Sequence, residues 1–179
     1  MPEVAFERIG SHEVWRGRIA SVREDTFRYH DGGQADREIV EHPGAVSIVA
    51  FDGEAIWLVR QPREAVGEPE LLELPAGKLD EEGEEPEQTA RRELAEEIGK
   101  GARTWRHLTT FYTSPGILSE IHHLYLATDL YHERAESGEE ERIQIERLAV
   151  ADLDGAIAAL RDSKTLIGLL WFKAYLQDG

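Results

Sequence analysis

At 179 residues, with 41% hydrophobic and 31% charged residues, the chain reads as one globular domain long enough to bury a core, not as a disordered polymer. A formal net charge of −16 argues against a nucleic-acid surface, which needs clustered Lys and Arg, and the lack of cysteine excludes disulfides, thiolate metal sites and a cysteine nucleophile. The N-terminal MPEVAFERIG has no basic-then-apolar leader pattern and no run approaches membrane-spanning length, so a cytoplasmic protein with no membrane partner is expected.

In chain order, residues 13–41 read as short strands. EVWRGRIASV and DTFRYH carry branched and aromatic residues, and HDGGQ is a turn signal before REIVEH. This segment has few large apolar residues for its length, so it needs a partner surface, either the main body or a second subunit. From Gly44 the pattern strengthens: GAVSIVAF and EAIWLVRQ are apolar β-rich runs joined by the hairpin signal Asp52-Gly53, and such continuous runs suit strands covered on both faces. REAVGEPE reads as a loop and LLEL as a short strand.

The stretch Glu73–Gly99, ELPAGKLDEEGEEPEQTARRELAEEIG, organises the rest. Pro86 opens a helical run and Gly99 closes it, because Pro suits a first turn whose N–H would be unpaired anyway and Gly suits the exit. Ala90, Leu94 and Ile98 recur every fourth residue and form one apolar stripe. Glu93 and Glu97 share a second face, with Glu96 their neighbour. Like charges at that spacing repel, and a hard divalent cation with oxygen ligands is the natural compensation; the plainer alternative is a solvated acidic helix.

Beyond it, TWRHLTTFY and IHHLYLATDL are strands separated by the loop TSPGILSE, ERAESGEEER is a polar acidic loop, and IQIERLAV is another strand. Asp152 is placed to cap a helix carrying Leu153, Ile157 and Leu160, with Arg161 near its end, and Thr165 begins a last helix, LIGLLWFKAYL, that is apolar on most sides. Strands around a central helix, with helices at the end, predict an α/β/α sandwich with a mixed sheet.

Gly77, Glu84 and the run Arg92-Glu93-Leu94-x-Glu96-Glu97-x-Gly99 resemble the Nudix box, G-x5-E-x7-R-E-U-x-E-E-x-G-U with U aliphatic. The half from Glu84 to Gly99 fits with correct spacing. Two departures stand out: six residues rather than five separate Gly77 from Glu84, and Lys100 replaces the final aliphatic residue. The extra residue falls in an acidic loop, where insertions are tolerated. The resemblance implies a Nudix fold with an extra N-terminal antiparallel strand segment, of the kind seen in ADP-ribose pyrophosphatases. It divides the chain into residues 1–41, a dimerisation segment, and residues 42–179, the hydrolase domain; a homodimer is expected.

The chemistry implied is Mg²⁺-dependent hydrolysis of a diphosphate, with Mn²⁺ or Zn²⁺ as alternatives, because divalent ions neutralise phosphate charge and acidify bound water. Glu93 and Glu97 are the first metal ligands by spacing, and the resemblance adds the carbonyl of Ala76. Glu96 stands close to them as a catalytic carboxylate. Arg92 would orient a glutamate through a bidentate pair, unless it forms only a surface ion pair. Glu84 would brace the loop. By similarity to ADP-ribose pyrophosphatases the base comes from a late loop: Glu139 is matched with it and Glu141 with a further metal ligand, Glu140 being the rival; a solvated loop tip is the alternative.

Pro115, sixteen residues after Gly99, is placed as in enzymes that cleave ADP-ribose. The same similarity assigns Arg63 to the diphosphate, Glu120 to the terminal ribose and Arg37 to a neighbouring subunit's site; otherwise both arginines are surface charges and Pro115 a turn former. His122 and His123 are read as packed or solvated, and Trp57, Trp105 and Trp171 as core residues before ligand-stacking ones. The expected activity is conversion of ADP-ribose and water to AMP and ribose 5-phosphate. The alternatives are other nucleoside diphosphate sugars, NADH, or a non-catalytic metabolite-sensing module; the last would ordinarily carry a basic recognition helix, and none is visible.

Overall fold

The computed structural model describes residues 5–133 and 142–178. The chain divides into two compact units: one runs through Gly44 and takes in Tyr112–Ile121, the other comprises Ala45–Phe111 and the chain from His122 onward.

The first unit is an antiparallel meander of β1 (Phe6–Arg16), β2 (Ser21–Tyr29) and β3 (Gln34–Glu41). EVWRGRIASV divides between β1 and β2. Gly17 donates its N–H to the Ala20 carbonyl at 2.9 Å and reverses the chain, so that Trp15 lies opposite Val22. Pairing along β2 also carries β1 back to Phe6, beyond the expected start. The HDGGQ turn forms as read, with Gly33 O accepting from Tyr29 N at 2.8 Å. In place of a large apolar core the sheet buries Asp25, whose carboxylate accepts from Ser11 at 2.6 Å, Arg23 at 2.7 Å and Arg8 at 3.5 Å. Residues 112–121 join this unit through backbone bonds from Val40 N to Ile117 O and from Ser119 N to Val40 O.

The second unit holds a seven-stranded mixed sheet. Its path is β10 (Gln144–Ala149), β5 (Ala55–Arg63), β4 (Ala45–Phe51), β9 (Ile121–His132) and β8 (Lys100–Tyr112). On its flanks β6 (Glu68–Glu73) pairs with β5 and β7 (Ala76–Lys78) with β4. β4 and β9 run parallel and the β4–β5 hairpin antiparallel. The hairpin turns at Asp52, whose Oδ1 accepts from the N–H groups of Glu54 and Ala55 at 3.0 and 2.8 Å. Burial alone would raise the Asp52 pKa, but these bonds, with those from Trp57 and Arg147, bring it down to about 2.

The unbroken apolar runs of β4 and β5 arise because both faces are covered. On one face Val46, Ile48, Ala50 and Val59 pack with Ala90, Leu94 and Ile98 of α1 (Pro86–Ile98). On the other, Val49, Ile56, Leu58, Leu124 and Leu126 pack with Leu153 of α2 (Leu153–Ala159) and Leu169 and Phe172 of α3 (Ser163–Asp178). Each fully buried Val, Ile, Leu or Phe among them contributes about 1.5–3 kcal/mol of apolar transfer. The result is the α/β/α arrangement expected from the element order.

Two helix starts differ from the sequence reading. Asp152 precedes α2 but makes no side-chain cap bond, because Val150–Asp152 is itself a 3₁₀ turn. Asp162, not Thr165, caps α3: its Oδ2 accepts from Thr165 N at 2.8 Å and Thr165 Oγ1 at 2.7 Å. The Thr165 hydroxyl in turn accepts from Leu74 N at 2.9 Å and ties the helix to the end of β6. Trp57 and Trp105 pack partly buried against the core, but Trp171 is exposed on α3, where Leu169 and Phe172 already occupy the inward stripe.

Candidate active site

The helix at the centre of the site is built by local chemistry. Glu85 and Gln88 form a reciprocal capping box ahead of Pro86, and Gly99 ends the helix at φ 65°, where an L side chain is strained. With Ala90, Leu94 and Ile98 facing the sheet, the opposite edge presents Glu93, Glu96 and Glu97 beside Arg92.

Arg92 gathers this edge. Its Nε and Nη2 donate to the Glu84 carboxylate at 3.2 and 3.1 Å, while Nη1 donates to Glu93 Oε1 at 2.7 Å and Glu96 Oε2 at 3.2 Å. Burial works against its charge, but the hydrogen bond to Glu84 and the fields of Glu93, Glu84 and Glu96 raise its pKa further. Glu84 is held below the usual carboxylate range, first by its bond from Arg92 and also by one from Thr89 Oγ1 at 2.9 Å. It therefore braces the loop onto the helix, as its position suggested.

The β7 backbone closes against the helix. Ala76 donates its N–H to Glu97 Oε2 at 3.0 Å, and Glu97 is buried. Gly77 meets Glu93 so closely that a Cβ there would fall 2.0 Å from the Glu93 carboxyl carbon. Glycine at that position leaves the carboxylate the space that a side chain would take, so any larger residue would displace Glu93. The Glu93 and Glu97 carboxylates held in this way are hard oxygen ligands, which suit a divalent cation such as Mg²⁺ better than a softer metal. Among the described residues no three His, Asp or Glu side chains are already gathered in ligand geometry; Glu93 and Glu96 are turned to Arg92 instead.

Arg63, at the end of β5, is paired with Glu73 at the end of β6: its Nε donates to Oε1 at 2.8 Å and its Nη2 to Oε2. The hydrogen bond to Glu73 raises the Arg63 pKa, burial opposes it, and the fields of Glu73, Glu97 and Asp162 add to the rise. Glu73 was not singled out from the sequence; the signal was a lone carboxylate inside the apolar run LLEL.

Arg37, Pro115 and Glu120 fall in the first unit, His122 and His123 in the second. Arg37 and Pro115 line a cavity of about 560 Å³ with Phe27, Tyr29, Ile39 and Tyr112, and Arg37 Nη2 donates to Tyr29 OH at 3.1 Å. Glu120, half-buried, accepts from Thr113 Oγ1 at 2.6 Å and has His42 Nδ1 at 4.0 Å. His122 is buried with Nε2 at 2.9 Å from Ser47 Oγ, and His123 Nδ1 lies 3.1 Å from Thr110 Oγ1, so both are packed as read. Burial, then the fields of His107 and His122, lowers the His123 pKa. Glu139, Glu140 and Glu141 lie outside the described residues.

The NUDIX domain family matches residues 41–167. The chain belongs to the Nudix family. It is 38% identical over 155 residues to an ADP-ribose pyrophosphatase of Bacillus subtilis, covering 85% of this chain and 83% of that protein. It is 47% identical over 131 residues to an ADP-ribose pyrophosphatase of Mycobacterium tuberculosis, covering 73% of this chain but only 63% of the relative's length. A crystal structure of an ADP compounds hydrolase superposes with a TM-score of 0.86 over 98% of this chain and 96% of that one, at 24% identity, a likeness of fold alone.

Both departures of this Nudix chain from the box pattern have structural counterparts. The lengthened loop is drawn together by the Lys78–Asp80 ion pair at 3.0 Å and by Glu84 N donating to Glu81 O at 3.3 Å, which delivers Glu84 to Arg92 despite the added residue. Lys100, in the aliphatic position, sets its ammonium 4.6 Å from the centre of the Trp57 ring, with Arg147 also over that ring at 5.1 Å. The stem of lysine covers apolar surface while the charge meets the ring face, so the position keeps its packing role. Nudix hydrolases generally use a divalent metal.

Proposed function

We propose that this Nudix protein is a pyrophosphohydrolase that converts ADP-ribose and water to AMP and ribose 5-phosphate. The observation that carries the reading is the contact of α1 with β7, where Ala76 bonds Glu97 and Gly77 admits Glu93. Relatives of 38% and 47% identity that bear the name ADP-ribose pyrophosphatase support the choice of substrate.

In this reading Glu93, Glu97, the Ala76 carbonyl and Glu141 hold Mg²⁺, with Mn²⁺ or Zn²⁺ as substitutes. Bound there, the ion supplies positive charge for the diphosphate and makes water more acidic. Arg92 keeps Glu93 and Glu96 on the working edge of the helix. Arg63 meets the diphosphate and Glu120 the terminal ribose, Pro115 stands at the position typical of ADP-ribose-cleaving enzymes, and Arg37 reaches a neighbouring subunit's site. Glu139 takes the proton of the attacking water as its oxygen bonds to phosphorus and the bridging P–O bond breaks. Glutamates already committed to a cation are poor bases, which favours a residue outside the helix. The working form is a cytoplasmic homodimer joined through residues 1–41; among the described residues no helix is long and apolar enough to cross a membrane.

The test is a substrate panel with Mg²⁺, read by chromatography: ADP-ribose, GDP-mannose, NADH, diadenosine polyphosphates and nucleoside triphosphates. ADP-ribose is expected to give AMP and the highest kcat/KM. A clear lead for a triphosphate would overturn the roles given to Pro115 and Arg63, and binding without turnover would favour a sensing module.

A further inference from the structure

Glu73 is 1% exposed at the end of a strand, flanked by Leu72 and the buried Leu74. A carboxylate is an unfavourable choice there: stripping it of water costs stability, and an apolar side chain of similar volume commonly packs as well or better. Both of its oxygens are engaged by a single guanidinium, Arg63 Nε on Oε1 and Arg63 Nη2 on Oε2, with Gln61 Nε2 adding a contact to Oε2 at 3.3 Å. Arg63 itself is not a core residue. Its side chain is 41% exposed, and its third nitrogen, Nη1, donates to no acceptor among the described residues. It also lies in the field of Glu97, the α1 carboxylate that holds Ala76.

The backbone is adapted to this arrangement. Pairing of β5 with β6 slips between Gln61 and Arg63, from Gln61 opposite Leu71 to Arg63 opposite Glu68. Pro62 and Pro69 sit in the slipped stretch, and neither has an N–H to give to a ladder. Bulges of this kind re-aim side chains, and here the guanidinium turns back along β6 to Glu73.

We propose that Glu73 is a positioning residue for the reaction: it clamps the inner edge of the Arg63 guanidinium so that Nη1 is held ready for an oxygen of the substrate diphosphate. An arginine ordered before substrate arrives loses less rotamer freedom on binding, and a two-point pair fixes its plane as well as its place. This deepens the reading of the site given above and rests on it for the role of Arg63.

The test is a double-mutant cycle of R63K, E73Q and R63K/E73Q, with two readouts at a temperature where each variant is folded by circular dichroism. ADP serves as the diphosphate probe in calorimetry with Mg²⁺, and ADP-ribose hydrolysis is followed separately. R63K and E73Q are each expected to weaken ADP binding by roughly ten- to a hundredfold, as for loss of a charged hydrogen bond. The double variant is expected to bind no more weakly than R63K alone. E73Q that melts earlier yet binds ADP like the wild type, strictly additive losses, an R63K variant with unchanged affinity, or a wild type that does not bind ADP would each overturn the clamp. If E73Q does not fold, E73D keeps the charge while drawing the guanidinium back, and the same loss of affinity is expected. A protein that shows the cycle with ADP but does not cleave ADP-ribose would sink the proposed activity and leave the clamp standing.

Discussion

Glu97 combines two demands in one side chain. Its Oε2 accepts from Ala76 N, and in the proposed metal site its charge acts together with that of Glu93, which Arg92 holds on the same edge of the helix. A glutamine retains an amide oxygen that can accept the same N–H but loses the charge. E97Q is therefore expected to keep its melting temperature within a few degrees while raising the Mg²⁺ concentration for half-maximal rate by at least about tenfold. A metal titration of hydrolysis checks this, and an unchanged titration in both E93Q and E97Q would remove α1 as the metal site. Arg92 is less replaceable by lysine, because it addresses Glu84 through Nε and Nη2 and both Glu93 and Glu96 through Nη1, which a single ammonium cannot do in that plane.

At the scale of elements, the contact of α1 with β7 joins fold to chemistry. The apolar stripe of α1 fixes its distance from the sheet, and Gly77 lets the β7 backbone reach the Glu93 carboxylate. The atoms that a Cβ at Gly77 would meet are the outer part of a glutamate side chain, which can swing aside without unpacking the core. G77A is expected to leave thermal stability nearly intact and to lower kcat/KM by about a hundredfold, the scale of a small misplacement at a reacting centre. Calorimetric melts beside steady-state kinetics separate the two effects; a G77A protein with normal kinetics would show that the placement of Glu93 is irrelevant to turnover. α3 is fastened differently, by Asp162 capping Thr165 while Thr165 accepts from Leu74 N, so a cap, a helix start and a strand end are one hydrogen-bonded unit.

For the whole molecule, the three-stranded sheet is the part whose surface asks for a partner. Val14, Trp15 and Ile19 are 59%, 57% and 50% exposed, and the sheet's buried centre is the charged Asp25 cluster rather than an apolar core. Large exposed apolar groups on β1 and the β1–β2 turn suit an interface between copies of the chain. Light scattering at micromolar protein is expected to give a dimer for the wild type and a monomer for V14E/W15E. A wild type that is monomeric and fully active would refute the proposed assembly. A formal charge of −16 leaves an anionic substrate facing a repulsive surface, so the few arginines near the carboxylate helix carry more weight than their number suggests.

What the amino-acid sequence determined by itself is what depends on neighbours a few residues away. The limits of α1, its apolar stripe, the register of Glu93, Glu96 and Glu97, and the Asp52-Gly53 hairpin all follow from caps, periodicity and turn chemistry, which act within about one helical turn or one hairpin. Most of the order of strands and helices was legible for the same reason, though not the short strand β7, the start of β6 at Glu68 or the reversal at Gly17. Tertiary structure alone decided the rest. That Glu73 is buried and bound to Arg63 depends on a slip in the pairing of two strands. That Asp162 caps α3 is coupled to the use of the Thr165 hydroxyl by Leu74, and that residues 112–121 belong with the N-terminal strands depends on their bonds to Val40. Each of these is a contact between segments far apart along the chain, and the local pattern of a carboxylate, a threonine or a loop looks the same whether or not that contact forms.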